Sequence, residues 1–278
     1  MNRKQRIGSA TAKGGFANEN DIVNKFLNWC QDAEAQSWLK AMNYDPQLIE
    51  TVEANRIPLR INNEELRKLG LQAKKFEEIQ KYKKADARIR VKIKVCGTWF
   101  FENLSLKKAK AEADYNQVDK RPVDTYKEMW GFSDEIELWL KLFTGELNPY
   151  EYRDFLGNKQ LRDDRRLFID EMPINIQNDI IEFFTNNKIA VVCDILKGRG
   201  ALAADWFLVT KQDKCSLSWV LKEINYVLNH YGQGEVVVSP KGSLYIGKIT
   251  MQRKGGTPDP ESLQFKISPN SLFNKRQI

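Results

Sequence analysis

Apolar positions fall at helical spacing near the start of the chain. In NENDIVNKFLNW, residues Ile22, Val23, Phe26, Leu27 and Trp29 fit one face of an amphipathic helix. AQSWLKAM continues that pattern. Residues 56–84 hold many charges, in NNEELRKLG and KKFEEIQKYKK, and read as a helical excursion with a solvated face. The period then changes. ARIRVKIKV alternates polar and apolar residues from Arg88 to Val95, which predicts a strand with one face on a core. Gly97 and Thr98 can turn the chain, and WFFENLSLKKA reads as a second strand, so the two form a hairpin. Residues 122–187 return to a helical pattern around EMWGFSDEIELWLKLFTGEL and NIQNDIIEFFTNN.

The last third is mixed. IAVVCDIL and WFLVTK are predicted strands, and SLSWVLKEINYVLNHYG is predicted as a helix ended by Gly232. EVVVSP, SLYIGKITMQRKGG and SLQFKIS are predicted strands with Gly and Pro turns between them. The fold class is therefore α/β, a mixed sheet flanked by helices, with a strand-rich C-terminal lobe. No internal repeat or low-complexity tract interrupts it.

Composition narrows the chemistry. The chain has 278 residues, 42% hydrophobic and 29% charged, enough for a sizeable core without metal staples. No apolar run reaches about 18 residues, so no membrane span is expected. The basic start MNRKQRIGSATAKGG lacks the apolar centre of a signal peptide, and a cytoplasmic location is expected. Cys30, Cys96, Cys193 and Cys215 are far apart and form no CxxC pair, so reduced thiols are expected rather than a zinc site. The single histidine, His230, excludes chemistry built on clustered histidines. It lies in a helical pattern with no nucleophile motif beside it, and reads as a surface or packing residue. Acid–base work is left to Asp, Glu and Lys. The net charge of +7 suggests a polyanionic partner, nucleic acid first.

One constellation suits phosphodiester hydrolysis. Asp86 opens the first strand of the hairpin, and Ser105 and Lys107 share one face of the second because side chains alternate along a strand. A carboxylate can hold Mg²⁺, which polarises a phosphate and lowers the pKa of water, while a lysine steadies the charge that develops. This is the logic of the PD-(D/E)xK nuclease core. By itself the pattern is far more often that of an ordinary surface Asp and Lys.

Longer motifs weigh in its favour. The run GSATAKGGFANENDIVNKF, then AQSWL, DYNQVDK, YKEMWGF, LFTGEL, DILKGRG, INYVLNHYG, SPKGS, QRKGG and LQFKI resembles the HinP-type type II restriction endonucleases, which cut at GCGC, and more distantly the MspI type. The order and approximate spacing match over nearly the whole chain. The charged stretch 56–84 is longer here. The resemblance implies a restriction-endonuclease-like fold, Mg²⁺ as cofactor, double-stranded DNA as substrate and a companion DNA methyltransferase that protects the host. It implies a catalytic lobe over residues 1–130 and a DNA-recognition lobe over 131–278, forming one compact unit. Asp86 falls at the family's metal-binding aspartate and Lys107 at its catalytic lysine. Ser105 stands where the family has a glutamine and most related nucleases an acid, and Ala85 where the pattern has a serine. A hydroxyl is a poorer metal ligand than a carboxylate, so Glu19 of the first helix is a candidate additional ligand. Gln117 matches a glutamine that the family inserts into DNA. The candidate DNA readers are Lys241, Ser243, Gln252, Arg253, Lys254, Gln264 and Lys266, whose types suit base edges and phosphates.

Two rival readings remain. The weaker ligand Ser105 would suit a non-catalytic DNA-binding protein with a degenerate nuclease site. Gly198 to Ala203 fits GxGxxA, a dinucleotide fingerprint, although ADWFLVTK leaves little room for the helix that fingerprint needs. No Walker A sequence is present.

Overall fold

The computed structural model describes residues 17–58, 61–71, 88–109, 115–156, 160–212, 217–254 and 262–273. Contact density divides the chain into two compact units. A hairpin unit holds the described residues up to Asn116, together with Leu196–Val227 and those from Ser268 on. A meander unit holds Gln117–Ile195 and Leu228–Ile267. The chain returns to the hairpin unit after Ile195 and again after Ile267.

In the hairpin unit, helix α1 covers residues 17–27. Helix α2, Ala33–Ala41, is capped by the Asp32 side chain, which accepts from the Ala35 amide at 2.8 Å. Strand β1, Ile49–Ile57, precedes the short helix α3, Asn63–Lys68, which opens with a capping box between Asn62 and Glu65. Strands β2, Arg88–Val95, and β3, Thr98–Ala109, form the expected hairpin, and Cys96 and Gly97 turn it with positive φ. Strands β5, Trp206–Gln212, and β6, Leu217–Glu223, complete a sheet of order β1-β2-β3-β5-β6. In this sheet, among the described residues, only β3 and β5 run parallel, so it is mixed. One face buries Val52, Ala54, Ile89, Val91, Ile93, Leu104, Leu106 and Leu208 against Ile22, Phe26, Trp38 and Leu39 of α1 and α2. Each large side chain fully buried there contributes roughly 1.5–3 kcal/mol.

In the meander unit, strand β4, Asn116–Pro122, leads into helix α4, Val123–Trp130. Helices α5, Asp134–Thr144, α6, Ile174–Asn186, and α7, Lys188–Leu196, follow. After helix α8, Ile224–Gly232, come strands β7, Val236–Val238, β8, Leu244–Ile246, β9, Ile249–Arg253, and β10, Ser262–Ile267. The second sheet has the order β4-β10-β9-β8-β7. Its core is aromatic: Tyr126 stacks on Trp130, and Phe265 meets both edge-on.

Three expectations are corrected. IAVVCDIL is helix α7, not a strand. Val191, Val192, Ile195 and Leu196 are buried while Ile189 is exposed, a helical pattern that a short apolar run conceals. SLSWVLKE is strand β6, paired antiparallel with β5, and the helix begins only at Ile224. The stretch 56–84 is not one helical excursion. It opens with the end of β1, holds helix α3, and from residue 72 lies outside the described residues. Strand β1 escaped sequence reading because a register shift between Ile49 and Thr51 interrupts its alternation. Its polar face is instead paired with its neighbour: Glu53 with Lys92 at 2.9 Å and Glu50 with Lys94 at 2.8 Å.

Candidate active site and nucleic-acid interface

The hairpin register defines the first site. Arg88 lies opposite Ser105, Ile89 opposite Leu104 and Arg90 opposite Asn103. On the other side of β3, Ser105 is level with Phe207 and Lys107 with Val209 of β5. Leu104 and Leu106 join the core under α1, so the alternating Ser105 and Lys107 share the opposite face. Both are buried, Ser105 at 0% and Lys107 at 7% exposure. Lysine is rarely buried to this degree unless it is paired. Asp86 lies outside the described residues. In sequence it precedes Arg88 by two residues, and Lys107 follows Ser105 by two, in an antiparallel pair.

A polar network stiffens the same face. Arg90 Nη1 donates to Asn103 Oδ1 at 2.9 Å and to the Ala201 carbonyl at 3.2 Å. Asn103 Nδ2 donates to the Ala201 and Ala203 carbonyls, and its backbone amide donates to Asp205 Oδ2 at 2.8 Å. Burial draws the Arg90 guanidinium below its usual pKa, while the negative charge of Asp205 opposes that shift. The loop so anchored is the GxGxxA segment. Gly198 and Gly200 both have positive φ, and Gly200–Leu202 form one 3₁₀ turn that leads into β5. A turn feeding a strand, fastened to Asn103, replaces the strand-to-helix turn of a dinucleotide site. Sequence reading missed Arg90, Asn103 and Asp205. A polar Asn two positions before Ser105 on a buried strand face was the available signal.

Glu19 lies on helix α1. Its carboxylate is buried and receives Arg56 Nε at 2.8 Å. Arg56 lies opposite Ile89, which shares the α1 face with Leu104. Among the described residues there is no cluster of three or more His, Cys, Asp or Glu suited to a metal. Magnesium needs fewer, since it keeps waters and uses one or two carboxylates with substrate phosphate oxygens. Ser105 brings a neutral hydroxyl, Lys107 cannot ligate while protonated, and Glu19 is engaged by Arg56. The further carboxylate expected for Mg²⁺, Asp86, lies outside the described residues.

The meander sheet separates the candidate readers. Gln264 and Gln252 are direct partners, as are Lys266 and Thr250. They alternate with Phe265 and Met251, which are fully buried, so the two glutamines and Lys266 share the opposite face. Gln117 joins them, accepting from Gln264 Nε2 at 2.6 Å. Burial lowers the Lys266 pKa, and neighbouring Lys254 adds to the shift. Lys254 follows the end of β9 and is half-buried. Lys241 is exposed at the SPKGS turn, where Ser239 Oγ accepts from the amides of Lys241 and Ser243. Arg253 lies elsewhere. It is opposite Leu263, on the core face of the sheet, and reaches Asp163 at 3.5 Å. Arg166 lies 3.5 Å from the same carboxylate and is stacked on Phe168. Sequence reading placed Arg253 with the glutamines because it could not assign sheet faces across the turn. His230 packs edge-on against Tyr231, with a pKa lowered by burial and by Lys248.

Cys30 and Cys96 are free thiols, and Cys215 lies outside the described residues. No helix among the described residues is long and apolar enough to cross a membrane.

Two sheets flanked by helices, the first of them mixed, give the fold of a restriction endonuclease. The structure is similar to restriction endonuclease MspI in complex with its cognate DNA, with a TM-score of 0.56 and 15% identity over 96% of this chain and 93% of that one. The family model of the R.HinP1I restriction endonuclease matches residues 72–273. The chain belongs to that family, and it is a type II site-specific deoxyribonuclease. No match is found among curated proteins.

Proposed function

We propose that the chain hydrolyses one phosphodiester in each strand of duplex DNA at GCGC, leaving 5′-phosphate and 3′-hydroxyl ends. The observation that carries the catalytic part is the buried Ser105 and Lys107 on one face of the hairpin. Asp86 and Ser105 would hold Mg²⁺, which when bound supplies a Lewis acid and a lowered pKa for coordinated water. The protein's own share is positioning and charge. Lys107, held on β3 between β2 and β5, offsets negative charge that builds on the scissile phosphate. Arg90 and Asn103 hold the strand that carries it. Glu19, held by Arg56, is a candidate additional ligand.

Recognition is assigned to the meander sheet. Gln117, Gln252, Gln264 and Lys266 form its polar face, with Lys241, Ser243 and Lys254 at its turns and strand ends. A G·C-only site offers guanine O6 and N7 as acceptors and cytosine N4 as donor, which amides and lysines can match. MspI, the structural neighbour, was crystallised on its cognate DNA, which supports duplex DNA as the partner here. A companion methyltransferase in the same cytoplasm would shield host sites without touching this chain. Digestion of a complex DNA with Mg²⁺, followed by sequencing of fragment ends, tests the proposal. Ends at GCGC are expected. Ends at another motif reject the specificity, and no cleavage with any divalent metal rejects the catalytic assignment.

A further inference from the structure

Three glutamines on neighbouring strands form one hydrogen-bonded row. Gln252 Nε2 donates to Gln264 Oε1 at 3.4 Å, and Gln264 Nε2 donates to Gln117 Oε1 at 2.6 Å. The strand order β4-β10-β9 puts Gln264 in the middle, where it is only 4% exposed, and its outer partners are half-buried. The row has a direction, because each amide gives its NH₂ group to the next carbonyl. An amide has one donor end and one acceptor end. Turned by itself, Gln264 would face Gln252 with NH₂ against NH₂ and Gln117 with carbonyl against carbonyl. The three amides therefore orient together. In the observed sense the outer ends of the row are the Gln252 side-chain carbonyl and the Gln117 NH₂ group.

The two ends thus differ in kind, an acceptor at β9 and a donor at β4. A G·C pair offers the complementary groups in its major groove, an N4 donor on cytosine and O6 and N7 acceptors on guanine. We infer that Gln264 is a positioning residue for specificity: it couples the amide senses of Gln117 and Gln252, so that a donor end on one outer strand always accompanies an acceptor end on the other. The inference rests on the meander sheet being the DNA interface. An amide left without this coupling would present either end at little cost, and selectivity between base pairs would fall.

Gln264→Met keeps the volume and removes both hydrogen bonds. The experiment measures cleavage at the wild-type site and at duplexes with one base pair changed, together with binding to a duplex lacking the site. It is run on the wild type, Q264M, Q252M and the double variant, with thermal melts as the check on folding. Q264M is expected to lower the ratio of cognate to altered-site cleavage by about tenfold or more, while binding to site-free DNA stays within about twofold. The double variant is expected to lose no more than the worse single one, because one cut already frees the row. Selectivity unchanged in Q264M, or losses that multiply in the double variant, overturns the inference. If Q264M does not fold, Q264E decides: its carboxylate accepts from both neighbours, turns Gln117 round and is expected to alter base preference, and an unaltered preference overturns the inference. Wild-type enzyme that cuts at no defined site overturns the interface reading itself, a result distinct from site-specific wild type with a selective Q264M.

Discussion

The two sheets bury polar side chains for opposite reasons. In the hairpin sheet, Ser105, Lys107, Asn103 and Arg90 sit on one face of β2 and β3, and a fastened loop stiffens the strands. That arrangement suits a reaction, which needs a few groups held within a fraction of an ångström. In the meander sheet, Gln264 is equally buried, but its neighbours are amides that can be satisfied in either of two senses. That arrangement suits discrimination, since a wrong base leaves polar groups unpaired. Rate and selectivity are therefore expected to come apart under mutation.

The largest separation is expected at the hairpin. Asp86→Asn should abolish cleavage while leaving specific duplex binding, and Lys107→Ala should slow single-turnover cleavage by about a hundredfold or more. Cleavage and gel-shift assays on the same site check both, and a Lys107→Ala enzyme that loses binding in step with cleavage would merge the two functions. Next in size is Asn103→Ala. It leaves the Arg90 guanidinium short of a partner and is expected to cost about 1–3 kcal/mol in denaturant unfolding. Variants in the meander sheet should show no such coupling to the active-site strands.

A smaller effect is expected from salt. Phosphate contacts by lysines make affinity fall with rising salt, and removing exposed Lys241 should reduce the slope of log affinity against log salt by about 1 with little change in base preference. A changed preference with an unchanged slope would move Lys241 among the base readers. The smallest effect concerns pH. Burial raises the Glu102 carboxyl above its usual range, against hydrogen bonds from Tyr44 and Trp206, and Asp205 adds repulsion. With the folded pKa raised, this group's contribution to stability is present below the ordinary glutamate pKa and is lost as pH rises through the folded value. Glu102→Gln should flatten that part of the stability curve measured by thermal melts, leaving selectivity as it was.

Much of the catalytic side was legible without coordinates. Alternation in ARIRVKIKV and WFFENLSLKKA determines a hairpin, and period two then places Ser105 and Lys107 on one face. Helix α2 and the strands from Val236 onwards follow from periodicity and from Gly and Pro turns in the same way. These features are local, set by each residue's own neighbours in sequence. Three matters were decided only by tertiary structure. IAVVCDIL became a helix because its buried residues lie on one side, with Asp194 receiving Trp130 Nε1 at 2.9 Å. Glu19 is held by Arg56, from a strand 37 residues further along the chain. Arg253 and Gln252, adjacent in sequence, went to opposite faces of the sheet, one to Asp163 and one to the glutamine row. Which face meets the core is a property of what packs there, and no residue carries that information alone.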